Sequence, residues 1–406
     1  MAIEFGLNKE QEMLQKSVRE FLAGECPIDR VRELMEDETG FSAELWKKMS
    51  ELGLPGLVFP EVYDGEGMNF RDLTVVLDEM GRMVFPGPFI STVLLVGMPV
   101  LNFGTEEQKK ELLPKIASGD AVCTLAALEE DGDWWADSIT VRADRRGDNY
   151  VINGTKLFVP DAKVADYMLI AARTKRTENP EEGITLFLLD TRDVWGLICT
   201  PLKTMDETRK LYEVVFPNVP VPAKNILGEL HKGWPIMKQI ELYTTAALCA
   251  EMVGAGERAF RMTLDYLKER VAFGVPIGSF QALQHRAADM YIELEYSRSL
   301  MEWAAECIKE NDPDAAAAVA MAKSFIGDAC KNIVAEGIQM HGGIGFTWEH
   351  DMHLYFKRVW ADDNAFGDSN YQREVVAKAL DDIHQLAGYG RWRRTAGATL
   401  MAAGME

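Results

Sequence analysis

From Asn8 onward, apolar residues recur at helical spacing, with Leu14, Val18, Phe21 and Leu22 on one face behind an asparagine placed to cap a helix. Similar stretches begin at Ser42, Asn69 and Thr105. Thr105 and Gln108 carry the residue types of a capping box, and Pro114 and Gly119 punctuate the far end of that helix. Residues 1–119 are therefore expected to be a helical domain, with Pro86, Gly87 and Pro88 in a loop between two of its helices. At Asp120 the period changes. Ile139 with Val141, Tyr150 with Ile152, and residues 184–189 and 211–216 are short β-rich runs broken by turn signals, which predicts a β-domain over 120–225. Beyond Pro217, Pro220 and Pro222, helical patterning returns over 232–270, 281–309, 315–337 and 371–386, predicting a C-terminal helical domain over 226–390 of four-helix-bundle type and a tail over 391–406. The chain shows no internal repeat. Helices, sheet and helices in that order predict an α+β fold.

Composition narrows the class of ligand. The 406 residues are 47% hydrophobic and 26% charged, ordinary for a globular protein, but 43 basic against 64 acidic side chains leave a formal charge of −21. Such a surface repels phosphate backbones and anionic lipid, so neither nucleic acid nor membrane insertion is expected. An anionic nucleotide would have to be held locally, by a few arginines and by N–H groups at helix starts. The six cysteines show no C-x-x-C spacing, which argues against a disulfide framework or a zinc site and for a reducing, cytoplasmic setting. The start of the chain lacks a basic segment followed by an apolar run, and the longest apolar stretch, near 90–101, falls short of the ~18 residues that span a bilayer.

Two segments carry candidate chemistry. In the first, Arg270, Phe273, Gly274, Pro276 and Gln281 mark a helix end, a tight turn and a new helix start. Arg270 offers a planar donor fork suited to a diphosphate, Phe273 an aromatic face, and Gln281 an amide at a helix N-terminus. A well-capped turn with a surface arginine reads equally well. In the second, a helix gives way at Gln339 to a run containing Gly342, Gly343 and Gly345, where the backbone can approach a ligand and present N–H groups, or where a glycine simply ends the helix. Gly254 and Gly256 lie inside a helical pattern without a preceding strand, and are read as helix packing.

These two segments, the helix–sheet–helix order and the bridging run Val221-Pro222…Asn225…Leu227-Gly228 together resemble the acyl-CoA dehydrogenase family over essentially the whole chain. The resemblance implies FAD clamped at a subunit interface. Arg270, Phe273, Gln281, Gln339, Gly342 and Gly343 would hold the adenosine-diphosphate half of a flavin whose ring lies mainly on the neighbouring subunit, and a dimer of dimers would be the assembly. It also implies an acyl-CoA substrate, an electron-transfer acceptor, and chemistry in which a carboxylate removes the α-proton while hydride passes from the β-carbon to the flavin.

The family's base does not carry over. It is commonly a Glu in an I-Y-E-G-T segment, 27 residues beyond the glutamine of the glycine turn, where this chain has Phe366, followed by the matching Gly367, Gln372 and Arg373. Other members place it on the first long helix after the sheet, near Tyr243, Thr244 and Thr245 here, with Glu241 about one turn away. In the β-domain the usual T-E-P-x-A-G-S-D and K-x-W-I-T are replaced by a run from Leu125 through Glu129 to Asp133 and by Lys156-Leu157-Phe158-Val159-Pro160. Phe158 stands at the flavin-lining aromatic position. Pro160 replaces the hydroxyl expected near flavin N5 and has no donor. This division resembles one partner of the bacterial heteromeric enzymes that lack the usual Glu, met in CoA-linked degradation of steroid side chains, alicyclic acids and dicarboxylic acids. The expectation is a heterotetramer in which this chain completes the FAD site of a related subunit. The alternatives are a homomer with a relocated base, Glu241 or Asp368, and a catalytically silent subunit. His350 and His353 are read as surface or interface histidines rather than metal ligands, Trp134 and Trp135 as lining a cleft or capping the sheet, and Asp362, Asp363 and Asp368 as an acidic helix end facing solvent.

Overall fold

The computed structural model describes residues 6–194 and 196–386, so the expected tail over 391–406 lies outside the described residues. The N-terminal part is helical: α1 (Lys9–Glu25), α2 (Ile28–Glu36), α3 (Ala43–Glu51), α4 (Phe70–Arg82), α5 (Phe89–Thr92), α6 (Met98–Phe103) and α7 (Glu106–Ala117), with one π-helical turn at Val93–Gly97 between α5 and α6. The caps read from the sequence are formed. Asn8, Asn69 and Thr105 each close a capping box, and the Ser42 hydroxyl accepts from Leu45 N.

The middle part is a mixed sheet of β1 (Cys123–Ala126), β2 (Arg142–Arg146), β3 (Asn149–Pro160), β4 (Tyr167–Arg173), β5 (Ile184–Asp190), β6 (Ile198–Pro201), β7 (Leu211–Pro222) and β8 (Ile226–Leu227), in the order β6-β7-β3-β2-β4-β5-β8, with β1 parallel to β4. Both faces of β4 are covered. Tyr167, Leu169 and Ala171 pack into the large core shared with the helices, while Met168, Ile170 and Ala172 enter a second core on the far side. The unbroken apolar run of β4 follows from this double burial.

The C-terminal part contains α8 (Trp234–Glu269), a small hairpin of β9 (Val271–Ala272) and β10 (Val275–Pro276), then α9 (Gln281–Lys309), α10 (Ala315–His341), α11 (Met352–Asn364) and α12 (Ser369–Leu386). Gly254 is a packing glycine as expected: a Cβ there would sit 1.9 Å from the carbonyl oxygen of Asp78 on α4. None of the expected helices covered α11. Its inward face carries Met352, Leu354, Tyr355 and Val359, but also Arg358, Asp362 and Asp363, all buried, so the core-facing side does not read as apolar. The reading of Asp362 and Asp363 as a solvent-facing acidic end is corrected accordingly: they are 0% and 2% exposed. No described helix is long and apolar enough to cross a membrane.

Candidate functional site

The segment after Arg270 is a two-residue hairpin turn. Ala272 pairs with Val275, and Phe273 and Gly274 at its corner both take positive φ, 55° and 83°. That geometry matches the twist of a tight hairpin and pushes Phe273 into solvent, where it is 96% exposed. The expected Gly-x-Pro turn is thus a hairpin ending at Pro276. Arg270 is exposed and makes no side-chain ion pair among the described residues, and Gln281 is exposed at the first turn of α9. At the end of α10, Gly342 adopts φ 64° and ψ −142°, a combination that favours glycine, and nothing lies within 4 Å of where a Cβ would stand on Gly342 or Gly343. Gln339, Gly342 and Gly343 are exposed. Tyr266, one turn before Arg270, stacks on His341 with ring centroids 4.6 Å apart, so the two segments emerge at the same end of the helical domain. An exposed guanidinium, an exposed aromatic ring, an amide and an open glycine turn fit a dinucleotide.

A separate cavity of about 440 Å³ lies among all three parts of the chain. Phe158 and Phe366 line it, whereas Arg270, Phe273, Gln281, Gln339, Gly342 and Gly343 do not. Phe158, at φ 54° in an irregular stretch of the β3–β7 pairing, is 43% exposed beside Pro160, Leu125 and Leu128. At the aligned base position Phe366 is 7% exposed, held at φ 57°, with its carbonyl accepting from Gln372 Nε2 at 3.0 Å. Trp134 stacks on it, and Trp135 tilts against Tyr371. Of the two readings of these tryptophans, Trp134 lines the cavity. On this wall, then, carbon and aromatic surface face the space, and a flat apolar group fits it better than one needing hydrogen bonds.

Glu241 and Asp368 do not line this cavity. Glu241 accepts from Tyr371 Oη at 3.0 Å and pairs with Lys238 at 2.7 Å, and Asp368 accepts from Tyr371 N at 2.8 Å near the start of α12. Other carboxylates do line it: Asp161, Asp206 and Asp362. Asp206 accepts from Arg358 Nε at 2.8 Å, and Arg358 also binds the carboxylate of Glu251 at 2.6 Å and the carbonyl of Phe85. Arg209 bridges Asp362, at 2.6 Å, and Glu251. This buried ionic cluster ties the N-terminal helices, the sheet and α8 and α11 into one unit, its charges compensated by pairing. Burial pushes Asp362 upward, and the Glu251 carboxylate adds to the shift. Burial likewise raises Asp161 to about 6, against the opposing hydrogen bond from Ser91 Oγ at 2.6 Å. Sequence reasoning missed this cluster; the signal available was Arg358 and Asp362 four apart, on one helix face.

The altered loop keeps one polar element. Lys156, fully buried, donates to Glu129 at 2.7 Å and to the carbonyl of Ala127 at 2.8 Å, while Glu129 also accepts from Val141 N. Burial lowers Lys156 to about 8, with Glu129 opposing. No group of three or more potential metal ligands occurs among the described residues. His350 is partly buried, and His353, 7% exposed, is buried against Trp348, so of the expected surface or interface positions the surface one does not hold for His353.

Three family profiles match the chain: the N-terminal domain of acyl-CoA dehydrogenase at residues 8–120, its middle domain at 125–219 and its C-terminal domain at 231–380. A probable acyl-CoA dehydrogenase of Bacillus subtilis, YngJ, is 33% identical over 93% of this chain and all of its own length. Butyryl-CoA dehydrogenase of Megasphaera elsdenii superposes with a TM-score of 0.85 at 26% identity, over 93% of this chain and 100% of that one. A chain of the ChsE4–ChsE5 complex of Mycobacterium tuberculosis does so with 0.84 at 27% identity, over 93% and 99%. The chain therefore belongs to the acyl-CoA dehydrogenase family, whose members are FAD-dependent oxidoreductases.

Proposed function

We propose that this chain is one subunit of an FAD-dependent acyl-CoA dehydrogenase assembly, and that its exposed arm completes the flavin site of a related neighbouring subunit that carries the proton-abstracting carboxylate. The observation behind this reading is the separation of two halves. Arg270, Phe273, Gln281, Gln339, Gly342 and Gly343 are exposed and lie off this chain's own cavity, while that cavity has Phe366 where a base is expected. When bound, FAD supplies the hydride acceptor for α,β-dehydrogenation of an acyl-CoA to the enoyl-CoA, and an electron-transfer partner then takes up the electrons. In this arrangement Arg270 neutralises a diphosphate charge that the acidic chain otherwise repels, the glycine turn donates backbone N–H groups, and Phe273 offers a ring to stack on. One structural relative is itself a complex of two distinct chains. The six free cysteines suit a reducing, cytoplasmic setting.

A second reading, a homomer with its own relocated base at Glu241 or Asp368, draws support from the retained cavity beside Phe366. It requires Glu241 to leave Lys238 and Tyr371, or Asp368 to leave the start of α12. Native mass spectrometry with flavin quantitation separates the readings. A mixed tetramer with a related subunit, two of each chain, should hold two FAD. Four FAD in a homotetramer of this chain would overturn the first reading in favour of the second.

A further inference from the structure

Three histidines meet at the base of the glycine turn. His341, the last residue of α10 and the neighbour of Gly342, is 3% exposed, so it acts on a ligand only through the residues around it. Its ring contacts two others, with centroids 4.6 Å from Tyr266 of α8 and 4.6 Å from His350. The Trp348 carbonyl accepts from His353 Nε2 at 3.2 Å and from Arg32 of α2 at 2.9 Å, and Arg32 also pairs with Asp351 at 2.8 Å. Within the segment, Thr347 Oγ1 donates to the Ile344 carbonyl at 3.0 Å and His350 N to the Thr347 carbonyl at 3.3 Å. Residues 342–351 are thereby held against α2, α8 and α11. Because Tyr266 stands about one helical turn before Arg270, the contacts that fix the glycine turn also set its place relative to that arginine.

The hydrogen bonds decide which ring nitrogens carry protons. A carbonyl only accepts, so His341 Nδ1, 2.6 Å from the Gly337 carbonyl, and His353 Nε2 both bear hydrogens. His350 is the opposite case. Its Nδ1 accepts from Met352 N at 3.1 Å, serving one of the first N–H groups of α11, where the cap residue Asp351 makes no side-chain bond. An imidazolium has N–H on both nitrogens, so His341 and His353 keep these bonds on protonation while His350 must break its own. Burial, the largest cause, holds all three below the ordinary imidazole value. The groups around them add to this: His341, His353 and Arg32 disfavour a charge on His350, and Lys357 disfavours one on His353. Asp351, which favours a charge on His350, is already paired with Arg32, and the group facing His341 from α8 is the neutral Tyr266 ring.

We propose that His350 is a positioning residue for the flavin site: neutral, it braces the Gly342–Gly343 turn opposite Arg270, and on taking a proton it releases the start of α11 and loosens the turn's hold on a diphosphate. The inference rests on the reading of this arm as a flavin site and adds a pH dependence to it. An imidazole kept below its usual value in the braced turn leaves the hold complete above the ordinary pKa of about 6.5, and the hold is lost as pH falls through the lowered value.

The test is the FAD affinity of the full-length protein, in the assembly in which it purifies, by equilibrium dialysis at about pH 7.5 and about pH 5.5. The unaltered protein should bind roughly threefold or more weakly at the lower pH, the worth of one hydrogen bond. His350→Asn places an amide oxygen near the Nδ1 position, accepts from Met352 N at either pH and should flatten the profile. His350→Ala, with no acceptor, should bind more weakly at both. A flat profile in the unaltered protein, or an acid loss of the same size in His350→Asn, overturns the inference, and the first of these requires no variant to fold. Arg270→Ala, measured alongside, separates this inference from the reading beneath it. If it lowers FAD affinity while either overturning result is found at His350, the flavin reading stands and the brace falls. FAD affinity indifferent to Arg270→Ala, or no FAD bound at either pH, overturns both.

Discussion

Phe366 stacks on Trp134 with ring centroids 4.1 Å apart and planes inclined by 23°. The contact joins the loop after β1 to the residues following α11, across the wall where the family's base is expected. Trp134→Ala removes this stacking and much of the ring's apolar contact, at a cost of about 2 kcal/mol for a half-buried tryptophan. Chemical denaturation should show that loss, and Trp134→Phe should recover most of it.

Arg270 is predicted to govern flavin retention. It is exposed and makes no ion pair among the described residues, so Arg270→Ala should leave thermal stability within about 0.5 kcal/mol of the unaltered chain. FAD affinity of the assembled protein should nevertheless fall roughly tenfold or more, as expected for loss of a charge-assisted bidentate contact. Equilibrium dialysis with flavin absorbance measures it, and an unchanged flavin content would remove Arg270 from the site.

If the base belongs to a partner, this chain alone should not bleach bound flavin when mixed with an acyl-CoA under anaerobic conditions. Phe366 offers no proton acceptor, and Pro160 no donor. Stopped-flow absorbance decides the matter. Should rapid bleaching occur, Glu241→Gln and Asp368→Asn would show which carboxylate is responsible.

Lys156 and Glu129 form an ion pair 0% and 8% exposed at the side chains. Lys156→Met would strand the Glu129 carboxylate in the core and should cost about 3–5 kcal/mol, whereas the double replacement Lys156→Met with Glu129→Gln should recover a large part of it. A double-mutant cycle by urea denaturation tests this, and strict additivity would show that the pair contributes nothing.

Asp161 has its carboxyl raised to about 6 by burial. Because the folded state keeps this proton after the unfolded chain has released it, its contribution to stability is greatest below the ordinary carboxyl pKa and is lost as pH rises from about 4 to about 6. Asp161→Asn should therefore stabilise the protein at pH 7, by on the order of 2 kcal/mol, and by little at pH 4. Melting temperatures across that range would check the sign, and a stabilisation independent of pH would contradict it.

The sequence by itself determined the order of helices, sheet and helices, the caps at Asn8, Ser42, Asn69 and Thr105, and the two exposed segments around Arg270 and Gly342. These rest on local chemistry: side chains within a few residues satisfy the helix ends, and glycines permit backbone that other residues resist. Tertiary structure alone decided what the buried charges do. Arg358 and Asp362 meet Asp206, Arg209 and Glu251 from sequence distances of more than 100 residues, and their own spacing of four marks a helix face without telling that the face is core. Their burial also broke the apolar stripe by which α11 could have been read. The same holds for the stack of Trp134 on Phe366: the partner exists only once the chain has folded, because ring contacts depend on proximity in space.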